Sequence, residues 1–161
     1  MSRIDQLNVM IVDDNQHMRS LVRAILEAIG VRHFVEARDG EHAIEKLRNN
    51  EVHLILIDWN MEPMDGLELT RYLRQSPNSP DPFVPIIMLT GHTERLKVEV
   101  ARDSGIDEFI AKPVTAKGLL SRINSIVTHR RPFIKTGQYF GPDRRRKNMP
   151  FDGPEKRGDE E

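Results

Sequence analysis

Residues 52-VHLILIDWNMEPMDG-66 set the frame for the whole chain. The apolar run 52-VHLILI-57 is too short for a buried helix and reads as a buried strand. It stops on an acid, Asp58, and a loop carrying Pro63 and Asp65-Gly66 follows. Beyond the loop, 65-DGLELTRYLRQ-75 takes the helical period. A buried strand, an acid at its carboxyl end and a helix make one β-then-α unit.

The same unit recurs on both sides. Strand 7-LNVMIV-12 precedes a helix over 15-NQHMRSLVRAILEAIG-30, with Met18, Leu21, Val22, Ile25, Leu26 and Ile29 on one face and Gly30 as the stop. A strand near 32-RHFVEA-37 leads to a helix over 40-GEHAIEKLRNN-50. After the proline-laced loop 76-SPNSPDPFVP-85, strand 85-PIIMLT-90 precedes a helix over 93-TERLKVEVARDS-104 that ends at Gly105. A fifth strand, about 106-IDEFIA-111, precedes the helix 115-TAKGLLSRINSIVTH-129. Five such units predict a doubly wound α/β fold, with right-handed crossovers and a five-stranded parallel sheet covered on both faces. Ligand chemistry in such a sheet belongs at the carboxyl ends of the strands.

The 161 residues give room for one domain and a tail, and the absence of cysteine excludes disulfides and Cys-based sites. No apolar run is long enough to span a bilayer, and the start lacks a signal-peptide pattern, so a cytoplasmic protein without membrane insertion is expected. The net charge of −1 conceals an asymmetry. Residues 130–147 carry seven Lys/Arg against one Asp, 148–161 carry two against five, and 1–129 are left at −4. Glycine and proline also crowd the last 32 residues. The expected organisation is a domain over 1–129 and an arginine-rich extension over 130–161 that is open without a ligand.

Acids close the first and third strands as Asp13-Asp14 and Asp58, while Thr90 and Lys112-Pro113 close the fourth and fifth. Three carboxylates at one edge repel and raise one another's pKa values unless a cation intervenes. Mg2+ suits oxygen ligands, keeps some of its waters and leaves room for a phosphoryl group. A lone strand-end acid is commonly a turn former or helix cap, but this set at four strand ends is specific. The remaining histidines besides His92 show no ligand spacing and are expected at the surface or at caps.

Through 12-VDDN-15, 57-IDWNMEPMDG-66, 89-LTGH-92 and 109-FIAKPV-114 the chain resembles the receiver domain of two-component response regulators, and among them CheY-like single-domain receivers. The resemblance covers roughly residues 5–128. It implies the flavodoxin-like strand order 2-1-3-4-5 and a phosphoacceptor Asp58, charged by a sensor histidine kinase or phosphotransfer protein. It implies Mg2+ held by Asp13, Asp14, Asp58 and the backbone carbonyl of Asn60. Lys112 would pair with the phosphoryl oxygens, Thr90 would turn to bond them, and Phe109 would swing inward as the switch. The Lys112–Pro113 bond is cis in the family. Apart from self-catalysed phosphorylation and dephosphorylation of the aspartate, no enzyme activity is implied. One departure stands out: the family usually reads Met-Pro-x-Met after the acceptor, whereas 61-MEPM-64 has its proline one place late and adds Glu62. Glu62 thereby adds a carboxylate near the phosphorylation loop, with turnover of the acyl phosphate as the property affected. His92 falls where the family tunes that lifetime, a solvated loop histidine being the alternative reading.

The extension opens as 130-RRPFIKTGQYFGPDRRRKN-148. Arginine's planar fork reads guanine O6 and N7 and stacks on bases, Tyr139 and Phe140 offer further stacking faces, and Asp143 can accept from guanine N1 and N2 hydrogens. Gly141-Pro142 would turn the backbone so that these groups face one ligand. An anion with two guanines and two phosphates, cyclic di-GMP, fits the set Arg130, Arg131, Tyr139, Phe140, Gly141, Pro142, Asp143, Arg144, Arg145 and Arg146. The segment resembles the arginine-rich tail of the CheY-like Cle proteins. That resemblance implies a tail ordered by cyclic di-GMP and docking on the flagellar motor switch, with recruitment to the flagellar pole and effects on motility and surface attachment. Two rival expectations are a plain phosphotransfer receiver with an inert tail and a nucleic-acid-binding regulator whose arm only neutralises phosphates.

Overall fold

The apolar runs pair side by side because each must bury both faces and satisfy its backbone. In the computed structural model, which describes residues 4–91, 104–136 and 139–143, they form β1 (Asn8–Val12), β2 (His33–Ala37), β3 (Leu54–Asp58), β4 (Ile86–Thr90) and β5 (Glu108–Ala111). Every pairing in this sheet is parallel, in the order β2-β1-β3-β4-β5. The central strands β3 and β4 are buried throughout, whereas the edge strands bury only Ala37 and Ile110.

The alternation of side chains divides the interior into two layers. Met10, Val12, Ile55, Ile57, Ile86 and Met88 face α2 (Gly40–Asn49) and α3 (Gly66–Gln75), which contribute Ala43, Leu47, Leu69 and Leu73. Val9, Ile11, Leu54, Leu56, Ile87 and Leu89 face α1 (Gln16–Ala28) and α4 (Ala116–His129), which contribute Val22, Leu26, Leu119, Ile123 and Ile126. Leu21, expected on the buried face of α1, is 50% exposed. The stripe that meets the sheet runs through Val22 and Leu26, with Ile25 and Ile29 packed at its margin. The helix expected over 93–104 lies outside the described residues except for Ser104, which sits in a turn.

Short loops bring each helix start to the carboxyl edge of the sheet. Asn15, Asp39, Asp65 and Thr115 are N-caps whose side chains accept the N–H groups of Met18, His42, Glu68 and Gly118. Asp65 and Glu68 complete a reciprocal capping box. Gly30, at φ +114°, follows α1 in a conformation that favours glycine.

Beyond His129 the structure departs from expectation. Residues 130–143 do not begin an open tail: β6 (Phe133–Thr136) and β7 (Tyr139–Pro142) pair antiparallel. Tyr139, Gly141, Pro142 and Asp143 are buried. Gly141 and Pro142 lie within β7 opposite Ile134 and Phe133, so they form no turn. A β-carbon on Gly141 would stand 2.8 Å from the Gly105 α-carbon, so the two backbones touch. Phe133 and Phe140 form a mutual cluster with Phe83 of the loop before β4, with all three ring-centroid separations between 5.2 and 5.3 Å. The low apolar content of the extension as a whole masked a short aromatic segment with a landing place. Arg144, Arg145 and Arg146 lie outside the described residues.

Gly66, the first residue of α3, has no room for a side chain. A β-carbon there would stand 2.7 Å from the Asp58 carbonyl oxygen and 2.9 Å from Met88 Sδ. Gly66→Ala should destabilise the fold by about 1–3 kcal/mol through overpacking, measured as a lower midpoint of urea unfolding.

Candidate functional site

The carboxyl edge gathers the residues expected to do chemistry. Asp13 follows β1 directly and its N–H donates to the Ala37 carbonyl (3.1 Å), so the β1–β2 ladder holds it in place. Its Oδ1 accepts the Asn15 N–H at 2.9 Å, while Oδ2 is buried with no hydrogen-bond partner. Arg19 of α1 donates to the Asp13 carbonyl oxygen at 2.6 Å and to Glu36 of β2 at 3.0 Å. The backbone bearing Asp13 is thus clamped from a helix and from the neighbouring strand. Burial raises the Glu36 carboxyl, but Arg23, which donates to it at 3.0 Å, and Arg19 together hold it below its ordinary range.

Asp58 ends β3 with its side chain 5% exposed, and its Oδ1 forms an ion pair with the Lys112 ammonium. The loop after Asp58 is fixed by backbone and packing together. The Gly66 N–H donates to the Trp59 carbonyl at 2.9 Å, Trp59 and Met61 are buried, and Met64 packs against Gly40 at the start of α2. Asn60 and Glu62 are exposed on this loop. Both Glu62–Pro63 and Lys112–Pro113 are cis.

Thr90 ends β4, and its carbonyl accepts the Lys112 N–H at 2.8 Å, which brings the lysine to the Asp58 edge. The Thr90 hydroxyl is buried and turned to the Ile110 carbonyl at a long 3.5 Å. Phe109 of β5 is half-buried against the layer under α3, and its carbonyl accepts from Arg122 of α4 at 2.9 Å. His92 lies outside the described residues. His53, by contrast, caps the sheet by accepting the Asn8 N–H at 2.9 Å.

Electrostatics identifies what this edge lacks. Burial pushes the Asp13 carboxyl up to about 6, helped by the Asp58 and Asp14 charges and opposed by the Asn15 N–H and Lys112. Burial likewise raises the Asp58 carboxyl, against the lowering effect of Lys112. A buried carboxylate oxygen without a protein partner, beside a second carboxylate, is a position that a cation would stabilise. Among the described residues no three Asp, Glu or His side chains are already drawn together as a metal cluster, and Asp14 is exposed. Two buried carboxylates with a third at the rim fit a cation such as Mg2+, which commonly takes one or two carboxylates and keeps water.

The opposite pole holds a group of charges that sequence inspection missed. Arg74 of α3 is buried and donates to the carbonyls of Gly105 (2.9 Å), Pro82 (2.9 Å) and Val84 (2.7 Å) and to Asp107 (3.0 Å). Burial lowers Arg74 to about 10, so it remains charged at neutral pH. Asp107 also accepts the Ile86 N–H at 2.9 Å and two bonds from Arg130, at 2.9 and 3.2 Å. Phe133 lies against both guanidinium groups, 4.9 Å from Arg74 and 4.4 Å from Arg130. The signal available in the sequence was an arginine directly after Leu73 of the buried helix face.

The chain matches the family model described as the response regulator receiver domain over residues 9–124. It is 30% identical over 120 residues to the chemotaxis protein CheY-3 of Vibrio cholerae serotype O1, an alignment spanning 74% of this chain and 91% of the relative. The solved structure of CheY4 from Vibrio cholerae is 29% identical, with a TM-score of 0.66, and covers 74% of this chain and 98% of its own. The receiver domain of sensor histidine kinase PA1611 from Pseudomonas aeruginosa PAO1 has a magnesium ion coordinated in its active-site cleft. It is 28% identical, with a TM-score of 0.61, and covers 74% of this chain and 94% of its own.

Because Asp13 titrates near 6 in the folded protein against 3.8 as its ordinary value, the folded form holds this proton more tightly than the unfolded chain. Without metal, stability should therefore fall as pH rises from about 4 to about 6 and then level off. Asp13→Asn should shrink that fall, leaving the part due to the raised Asp58 carboxyl, and raise neutral-pH stability by roughly 1–3 kcal/mol. Urea unfolding across pH in EDTA reads both effects, and a wild-type profile flat over this window would contradict the assignment.

Proposed function

From the premise that the chain belongs to the response regulator receiver family, we propose that Asp58 is its phosphoacceptor and that Asp13, Asp14, Asp58 and the Asn60 carbonyl hold Mg2+. The buried, partnerless Asp13 Oδ2 beside the Lys112-paired Asp58 carries this proposal. A phosphohistidine on a sensor kinase or phosphotransfer protein gives up its phosphoryl group. The bond from phosphorus to the imidazole nitrogen breaks as the bond to an Asp58 carboxylate oxygen forms. Bound Mg2+ supplies positive charge that offsets the carboxylates and the incoming phosphoryl oxygens. Lys112 supplies a second positive charge from the β5 side, and its ion pair with Asp58 exchanges for one with the phosphoryl group. The weakly held Thr90 hydroxyl is available to turn toward the new oxygens, and Phe109 packs inward behind it.

Signal output is by binding. The relationship to chemotaxis proteins supports the flagellar motor switch as the partner, with motility and surface attachment as the processes affected. No helix among the described residues is long and apolar enough to cross a membrane, and action in the cytoplasm, with recruitment to the flagellar pole, accords with that partner. The extension over 130–161 is the second input, binding cyclic di-GMP through the arginines at 144–146 with Arg130, Arg131 and the 139–143 segment. Support for it lies in the choice of arginine, the aromatic neighbours and the +6 charge of residues 130–147 on an acidic chain.

Beryllofluoride with Mg2+ should shift the amide signals of Asp58, Thr90 and Lys112, and Asp58→Asn should abolish the response. An unchanged wild-type spectrum would remove the phosphoacceptor assignment. For the second input, calorimetry on the full chain should show cyclic di-GMP binding that weakens roughly tenfold or more on Asp143→Ala. Replacing Arg144, Arg145 and Arg146 by Lys should weaken it similarly. A tightening on Asp143→Ala would instead indicate simple phosphate neutralisation.

A further inference from the structure

We infer that the docked hairpin is a latch that withholds the cyclic di-GMP site, so that ligand binding and hairpin docking exclude one another. This inference rests on the messenger-binding assignment proposed above. Its basis is where the proposed ligand groups are in the structure. Arg130 is engaged with Asp107 by two hydrogen bonds. Tyr139 is 6% exposed and donates its hydroxyl to the Pro142 carbonyl at 2.6 Å. Asp143 is 4% exposed, and its N–H donates to the Pro132 carbonyl at 2.7 Å. Groups so placed cannot stack on or bond a guanine until the hairpin leaves the surface.

The latch can open because the body does not depend on it. Arg74 is satisfied by three carbonyls and Asp107; when Arg130 departs, Asp107 Oδ2 keeps Arg74 and the Ile86 N–H, while Oδ1, which Arg130 had covered, is opened to water. What holds the hairpin is local: the Asp107–Arg130 pair, Phe133 over two guanidinium groups, the Phe83–Phe133–Phe140 cluster and the Gly105–Gly141 contact. A two-stranded hairpin with four-residue strands is marginal by itself in water, so undocking and loss of pairing are one event. A dianionic ligand competes with Asp107 for Arg130, and each guanidinium it captures weakens the latch. The equilibrium shifts only by the difference in ligand affinity between the two states.

Phe83 provides a clean test because it belongs to the body, is 54% exposed and lies outside both the core and the ligand set. Phe83→Ala and, as a second variant, Phe133→Ala should speed amide hydrogen exchange of β6, β7 and Asp143 without ligand. Both should bind cyclic di-GMP several-fold tighter than wild type, in proportion to the protection lost. Adding cyclic di-GMP to wild type should likewise speed exchange at Asp143. If wild type binds the ligand while the variants lose protection without binding more tightly, the latch is wrong and the messenger assignment survives. Wild-type hairpin protection in both variants would also overturn the latch, as would slower exchange at Asp143 with ligand. Absence of binding in all three proteins would remove the messenger assignment and the latch together.

Discussion

Two carboxylates kept out of water at one rim of a parallel sheet are the constraint around which this molecule is organised. Neither Asp13 nor Asp58 can move away, since each is rooted at the end of a fully paired central strand. Among the described residues, Lys112 pairs with Asp58 at this rim, delivered by the backbone bond between Lys112 and Thr90. The burial of both carboxylates is the feature on which the proposal of a divalent cation and an incoming phosphoryl group at this rim rests. A surface that was comfortable without ligands would have less to gain from either one.

The other pole solves the same kind of problem differently. Arg74 and Asp107 are both buried, yet the pair is satisfied by each other, by backbone from loops and strand ends, and at Asp107 by the Arg130 side chain. The pair also ties α3 to the starts of β4 and β5, because Asp107 holds the first N–H of β4. A buried ion pair is weak evidence for stability in itself. Here it offers a neutralised, rigid platform on which an arginine and a phenylalanine from outside the domain can settle. One pole is left short of positive charge and the other is closed, so a small anion and a cation meet very different surfaces.

Much of the architecture was legible in the sequence, because hydrophobic period and chain punctuation act locally. The runs 52-VHLILI-57 and 85-PIIMLT-90 admit few structures other than buried strands, and the polar residues that end them, Asp58 and Thr90, had to fall at one edge. The acceptor, the acidic pair, Thr90 and Lys112 were placed by that rule together with the family resemblance, and the structure brings Asp13, Asp58, Thr90 and Lys112 to the same rim. The packing of 130–143 was not legible, because it depends on Phe83, Gly105 and Asp107, which are distant in sequence. Two four-residue runs separated by two residues, the first of them Gly137, were a hairpin signal outweighed by the charge of the surrounding segment. Leu21 shows the converse error, an apolar residue with a helical spacing that the sheet does not reach.

The contact between Gly105 and Gly141 has a consequence for how the extension can sit. Where two main chains touch, neighbouring residues are not interchangeable. A one-residue slip of β7 would bring Phe140 or Pro142 to Gly105, and either ring would wedge the surfaces apart. The same slip would turn every side chain of the strand to its other face. A pair of residues with nothing beyond Cα therefore works as a keyway, admitting the hairpin in a single seating.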